Sequence, residues 1–175
     1  AILEGQKNGL LLSFSLITLM MILALKSVRA GLLSMVPNVL PLLTVGAALG
    51  WTTEGVDSDA LVIGMMAIGI GVDDTIHFMV RYRLEAERCS SRTEAIRRTF
   101  DFAGRAIFIT TLILTMGFLP FLLSDYLSLW YFGALLPLAL VVALLADLLW
   151  VPALAQLGVF GLKTGSQAVA KESGS

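Results

Sequence analysis

Apolar residues along this chain fall into five long blocks divided by short polar stretches, and block length carries most of the information. A helix needs about 20 consecutive apolar residues to cross the hydrocarbon core of a bilayer. Blocks of that size occur at about 9–26, 31–51, 60–80, 105–124 and 130–157. The pattern predicts an all-α polytopic membrane protein with five transmembrane helices. The first block resembles the core of a signal peptide, but it is longer than usual and no small-x-small cleavage site follows it. Pro37 and Pro41, with Asn38 between them, disrupt backbone bonding in the second span and predict a kink or hinge there, of which the static kink is the commoner. Pro137 and Pro152 kink the last span or mark its ends. The start of that span, 127–130, is expected to lie along the interface rather than to cross it.

Composition agrees with the blocks. Charged residues make up only 14% of the chain, against about a quarter in a soluble domain. The single cysteine, Cys89, excludes an internal disulfide framework, and its place in a polar loop predicts a solvated thiol. Position 1 is Ala rather than Met, which reads as a piece of a longer protein. The basic residues are distributed one-sidedly. Lys26 and Arg29 lie between the first two spans, and Arg81, Arg83, Arg88, Arg92, Arg97, Arg98 and Arg105 between the third and fourth. Lys163 and Lys171 follow the fifth, and Lys7 alone falls on the other side. The positive-inside rule then places the C-terminus in the cytoplasm and residues 1–8 outside. The outer loops carry acids instead, Glu54, Asp57, Asp59 and Asp125. Trp51, Tyr126, Trp130, Tyr131 and Trp150 fall near span ends, where aromatic belts form.

The long inner segment, 81–105, reads as an extension of the third span to Glu87 and a break at Ser90-Ser91. A second helix then opens on a capping box with Glu94. From Thr93 to Ile107, Ala95, Ile96, Thr99, Phe102, Ala103 and Ala106 recur at helical spacing. An amphipathic helix lying on the inner membrane surface, turning into the fourth span, is expected. Its arginines serve topology and lipid phosphates. The tail, 161–175, is rich in Gly, Ser and Lys without periodicity and is expected to be disordered.

Two adjacent aspartates, Asp73 and Asp74, lie within the third span. An acid at mid-bilayer depth costs about 2.5–3.5 kcal/mol on insertion scales, and two side by side repel as well. Such a pair persists where it meets water, a counter-charge or a moving proton. Ala67, Gly71 and Asp74 share one helix face, and Gly69, Asp73 and His77 the adjacent one. Ala67, Gly69 and Gly71 are small enough for neighbouring helices to approach closely. A buried carboxylate pair that exchanges protons with water suits a proton relay. The alternative is permanent pairing with a cation, which would come from outside this chain because none of its Lys or Arg residues lies at that depth. His77 suits either proton transfer toward the inner surface or an interfacial hydrogen bond. Thr110, Thr111 and Thr115 in the fourth span either bond back to their own helix or offer a hydroxyl to a carboxylate on the next one. Asp147, five residues before Pro152, reads as a structural acid near the inner end of the bundle. A metal site is not expected from two aspartates and one histidine on one helix. No nucleotide-binding loop, nucleophile elbow or zinc motif is present, so neither a cofactor nor enzymatic chemistry is expected.

Four segments in order resemble one superfamily: 36–44 (VPNVLPLLT), 69–87 (GIGVDDTIHFMVRYRLEAE), 110–125 (TTLILTMGFLPFLLSD) and 132–155 (FGALLPLALVVALLADLLWVPALA). Together they are similar to the resistance-nodulation-division (RND) transporters, closest to the MMPL and predicted-exporter branch, which also resembles sterol-sensing-domain proteins. The likeness covers nearly all of 9–160. It implies a parent protein of two six-helix repeats, each with a large extracytoplasmic domain after its first helix. This chain would supply the last five helices of one repeat, most naturally the second, with 1–8 the end of an outer domain. By the resemblance the proton-relay acids map onto Asp73 and Asp74 and the facing hydroxyls onto Thr110 and Thr111. Many branch members carry Asp-Tyr where this chain has Asp73-Asp74.

The resemblance implies a proton antiporter exporting lipids or other hydrophobic molecules across a bacterial inner membrane. Its partners would be membrane lipids, protons, the hydrophobic substrate, the missing N-terminal repeat and outer domains, and a homo-oligomer, with no nucleic acid. Two other functions fit the same bundle: a sterol-sensing-like lipid-binding regulatory module and a Sec-associated protein-export accessory subunit.

Overall fold

A computed structural model describes residues 2–52 and 58–158. The tail 161–175 and the loop acids Glu54 and Asp57 lie outside the described residues. Among the described residues every regular element is helical: α1 (Ile2–Leu25), α2 (Val28–Ser34), α3 (Val36–Thr52), α4 (Ser58–Arg88), α5 (Arg92–Thr99), a π turn (Phe100–Gly104), α6 (Arg105–Phe118), a 3-10 turn (Leu119–Leu123) and α7 (Leu127–Gln156). Four stretches, Val28–Trp51, Val62–Arg88, Arg92–Leu123 and Leu127–Gln156, are long and apolar enough to span a bilayer, and a shorter apolar stretch, Leu11–Leu25, lies in α1. This is the multi-pass all-α membrane architecture that the apolar blocks predict. The stretch 1–8, read as the end of an outer domain, is helical from Ile2 onward. Residues 127–130, read as interfacial, form the first turn of an unbroken α7 that carries both Pro137 and Pro152 inside it.

Lipid tails are as apolar as leucine, so such a bundle is held by close packing and interhelical hydrogen bonds rather than by the hydrophobic effect. Helices α3, α4 and α7 pack on one another, α1 flanks α4, and α6 rests on α7. Small residues set these distances. A Cβ on Gly71 of α4 would stand 3.3 Å from Asn38 Oδ1 and 3.4 Å from Ala143 Cβ, so α3 and α7 both close on that point. On α7, a Cβ at Gly133 would come within 2.6 Å of the Leu122 backbone nitrogen, which docks the 3-10 turn against this helix.

The turn between α1 and α2 follows from local chemistry. Lys26 adopts φ 49°, and the Ser27 amide reaches back to the Ile22 carbonyl at 3.3 Å, which is a Schellman closure. Ser27 then caps α2 by accepting from the Ala30 amide at 3.3 Å. The proline-rich start of the second span breaks into two helices. Pro37 has no N–H to give, and the Asn38 amide bonds Met35 rather than Ser34. The Ser34 carbonyl takes the Asn38 side-chain amide instead, at 3.1 Å.

The inner segment departs from expectation in two ways. Helix α5 does begin at Ser91, whose Oγ accepts from the Glu94 amide at 3.2 Å. It then runs through the π turn into α6 as one helical stretch, Arg92–Leu123, packing against α4 and α7. Its buried positions are Ala95, Ile96 and Thr99, then Gly104, Ile107 and Thr111. The step from 99 to 104 is one residue longer than an α-helical turn allows, and the π turn absorbs it. Phe102 and Ala106, expected on the inner stripe by uninterrupted 3.6-residue spacing, are therefore exposed. The Arg81 guanidinium lies 4.4 Å from the centroid of the Phe102 ring. The second departure is Cys89. The thiol expected in solvent is buried with Tyr82, Ala86, Ala95, Val151 and Ala155, because α5 folds back over the end of α4.

Candidate functional site

Helix α4 divides the acid pair between two environments. Ala67, Gly71, Asp74, Thr75 and Phe78 are buried, whereas Gly69, Asp73 and His77 are exposed. Successive helical residues turn by about 100°, so adjacent aspartates fall on either side of the bundle rim. Asp74 is 7% exposed, while the Asp73 side chain is 71% exposed. His77, one turn on, places Nε2 at 3.6 Å from Asp73 Oδ1. Ala67 and Gly71 sit where helices meet. Gly69, grouped with them from the sequence as a packing residue, has no heavy atom within 4 Å of a built Cβ. Two residues from Gly71, it points to the open side.

The fourth span completes the site. Asp73, Asp74, His77, Ala103, Ala106, Ile107 and Thr110 line an open cavity of about 230 Å³. Ala103 and Ala106 leave that space free because their side chains are short. The two threonines divide as the aspartates do. Thr110 borders the cavity, and Thr111, buried on α6, is turned toward Asp74. Thr115, one turn farther, has its Oγ1 buried without a partner. An acid opening on a cavity, backed by a second acid facing a hydroxyl, can take up a proton and pass it inward. Among the described residues no group of three His, Cys, Asp or Glu side chains could hold a metal ion.

Behind Asp74 lies a polar cluster that sequence reasoning did not assemble. Asp147, read as a structural acid near the inner end of the fifth span, sits level with Thr75 in the core and is 1% exposed. Its Oδ1 lies 2.6 Å from Thr75 Oγ1. The Asn38 amide donates to the same Thr75 oxygen at 3.1 Å. Three helices thus meet through three polar side chains. The available signal was a polar residue deep inside each of three spans, but no local pattern pairs residues 37 and 72 positions apart.

At the basic end of α4, Arg81 pairs with the buried Glu85 at 2.6 Å. Arg83 reaches the Ala24 carbonyl of α1 at 3.3 Å. The first pair lies within α4, and the second bond ties the helical extension beyond Val80 to α1.

The chain is similar to two curated proteins. It is 25% identical over 138 residues to a candidate membrane protein of Methanocaldococcus jannaschii, covering 79% of this chain and 36% of that one. It is 26% identical over 98 residues to the hopanoid transporter HpnN of Rhodopseudomonas palustris, covering 56% of this chain and 11% of that one. The chain therefore spans about a third of the length of the first relative and about a tenth of the second. No solved structure matches it. The model of the MMPL family matches residues 4–172, nearly the whole chain, and with the ordered membrane motifs and the all-helical bundle this places the chain in the MMPL family of the RND superfamily.

Proposed function

We propose that this chain is the transmembrane half of a proton-driven RND-type exporter, with Asp73 and Asp74 as the relay and Thr110, Thr111 and His77 as its polar surroundings. The division of the acid pair carries the proposal: both acids line the cavity, Asp73 exposed and Asp74 buried toward the α6 side that carries Thr111. Protons arrive at Asp73 and His77, move to Asp74, and remove the penalty of a buried charge as they do so. Neutralisation changes how tightly α4 sits against α6 and α7, and that packing change is the motion the exporter uses. The exposed face of Gly69, Asp73 and His77 is where the other repeat docks.

The basic end, with Lys26, Arg29 and the seven arginines of 81–105, lies in the cytoplasm of a bacterial inner membrane by the positive-inside rule. The cargo is a lipid or another hydrophobic molecule. A similar protein is a hopanoid transporter. An apolar groove of about 360 Å³, lined by Leu40, Val142, Leu145, Leu149 and Trp150 among others, also suits an acyl chain or a fused ring.

Substitution of Asp73 and Asp74 by Asn, singly and together, in the intact transporter tests this. Proteoliposomes with an imposed pH gradient should lose proton-coupled lipid movement to background in the double variant while inserting normally. Parent-level coupled transport in that variant would refute the relay and leave a lipid-binding role for the bundle.

A further inference from the structure

Asp147 is the group that the relay does not use and that the bundle can least easily tolerate. It is 1% exposed, no ion pair reaches it among the described residues, and its Oδ2 has no hydrogen-bond partner. Its other oxygen, Oδ1, lies 2.6 Å from Thr75 Oγ1. That hydroxyl is also 3.0 Å from the Gly71 carbonyl and 3.3 Å from Asn38 Oδ1. It accepts from Asn38 Nδ2 at 3.1 Å.

A threonine hydroxyl has one proton to give. If Asp147 is a carboxylate, Thr75 gives that proton to it, and a charged Oδ2 is left bare in a dry core. An unpaired buried charge of this kind is strongly destabilising. If Asp147 is a carboxylic acid, its own O–H donates to Thr75. Thr75 then donates to Gly71 or Asn38, and Oδ2 is an uncharged carbonyl oxygen. The second arrangement leaves unused only one of the Gly71 and Asn38 oxygens around Thr75, and in it Asp147 carries no charge.

We propose that Asp147 is a second, interior proton-binding site of the bundle, and that the Thr75–Asn38 bridge transmits its protonation state from α7 to α4 and α3. It deepens the Asp73/Asp74 relay and rests on that reading. When Asp147 gives up its proton, the carboxylate of Asp74 takes it. One O–H bond breaks and one forms, and the summed charge of the acids is unchanged. Thr75 then turns its hydroxyl toward Asp147 Oδ1 and away from Asn38 Oδ1, loosening the point where α3, α4 and α7 converge. Thr75 faces Asp147, and the neighbouring acid on α4 is Asp74, the residue before Thr75. The bridge ends at the uncharged Asn38 on α3. His77 is exposed beside Asp73 instead.

Asp147→Asn separates a proton site from a scaffold, because the amide can donate to Thr75 as the neutral acid does while holding no exchangeable carboxyl proton. In the intact transporter this variant should keep the parent unfolding midpoint and lose proton-coupled transport to background. The infrared spectrum at neutral pH should lose a protonated-carboxyl C=O band, which Thr75→Val should shift. Coupled transport at the parent level in Asp147→Asn, or no carboxyl band assignable to Asp147, would overturn the proposal. If Asp147→Asn does not assemble, the Thr75→Val spectrum decides: a shifted band supports the site and an unshifted one overturns it. Loss of coupling in the Asp73/Asp74 variants with retention in Asp147→Asn sinks this proposal alone, whereas retention in all of them sinks the relay as well.

Discussion

Replacing Gly71 with Leu should drive apart the three helices that enclose the buried polar cluster. Even a single Cβ at this position would stand 3.3 Å from Asn38 Oδ1, tighter than ordinary van der Waals contact, and 3.4 Å from Ala143 Cβ, at its lower edge. The remaining three carbons of leucine have no room without moving α3 or α7. Overpacking of this sort costs about 1–3 kcal/mol. The displacement also stretches Asn38–Thr75, at 3.1 Å, and Thr75–Asp147, at 2.6 Å. Interhelical hydrogen bonds in membranes contribute about 0.6 kcal/mol each on average, so the total loss should be about 2–4 kcal/mol. Gly46→Leu on α3 is the matched control, because a Cβ there meets nothing within 4 Å. Thermal unfolding of the intact protein in detergent, followed by circular dichroism, reads both variants. A Gly71→Leu midpoint equal to that of Gly46→Leu would refute the convergence of α3, α4 and α7 at residue 71.

Gly133→Ala should be harmful although it adds one methyl. That carbon would lie 2.6 Å from the Leu122 nitrogen and 2.9 Å from the Phe121 carbonyl carbon, and backbone cannot swing aside as a side chain does. A loss of about 1–3 kcal/mol in the same unfolding assay is expected, and an unchanged midpoint would contradict the docking of the 3-10 turn on α7. Cys89, 3% exposed, should react with a maleimide far more slowly in the folded protein than after denaturation. Equal rates in the two states would show that α5 does not cover the end of α4.

Much of the membrane architecture was legible in block lengths, since a span must be long and apolar whatever its neighbours are. The acid pair was equally plain, because an ionisable residue stands out against an apolar run. Local rules also placed the Ser91 cap, whose signal is confined to four consecutive residues. The errors share a cause. Counting 3.6 residues per turn through 93–107 assumed an uninterrupted α-helix. The π turn at Phe100–Gly104 instead rotated Phe102 and Ala106 outward and brought Gly104 and Ile107 inward. Cys89 looked solvated because its sequence neighbours are polar, yet α5 returns across it.

Amino-acid order alone settled the multi-pass all-α membrane architecture, the clustering of basic residues in the polar stretches and the presence of two acids in one apolar block. These depend on local composition measured against the fixed thickness of a bilayer. Which acid is exposed, which is buried, and what touches each depended on helices meeting from distant parts of the chain. Asn38, Thr75 and Asp147 lie in three separate helices. They become one hydrogen-bonded cluster only because Gly71 lets α3 and α7 close on α4 at that level. Hydrogen bonds act over about 3 Å, and helix packing rather than sequence separation brings such atoms within that range.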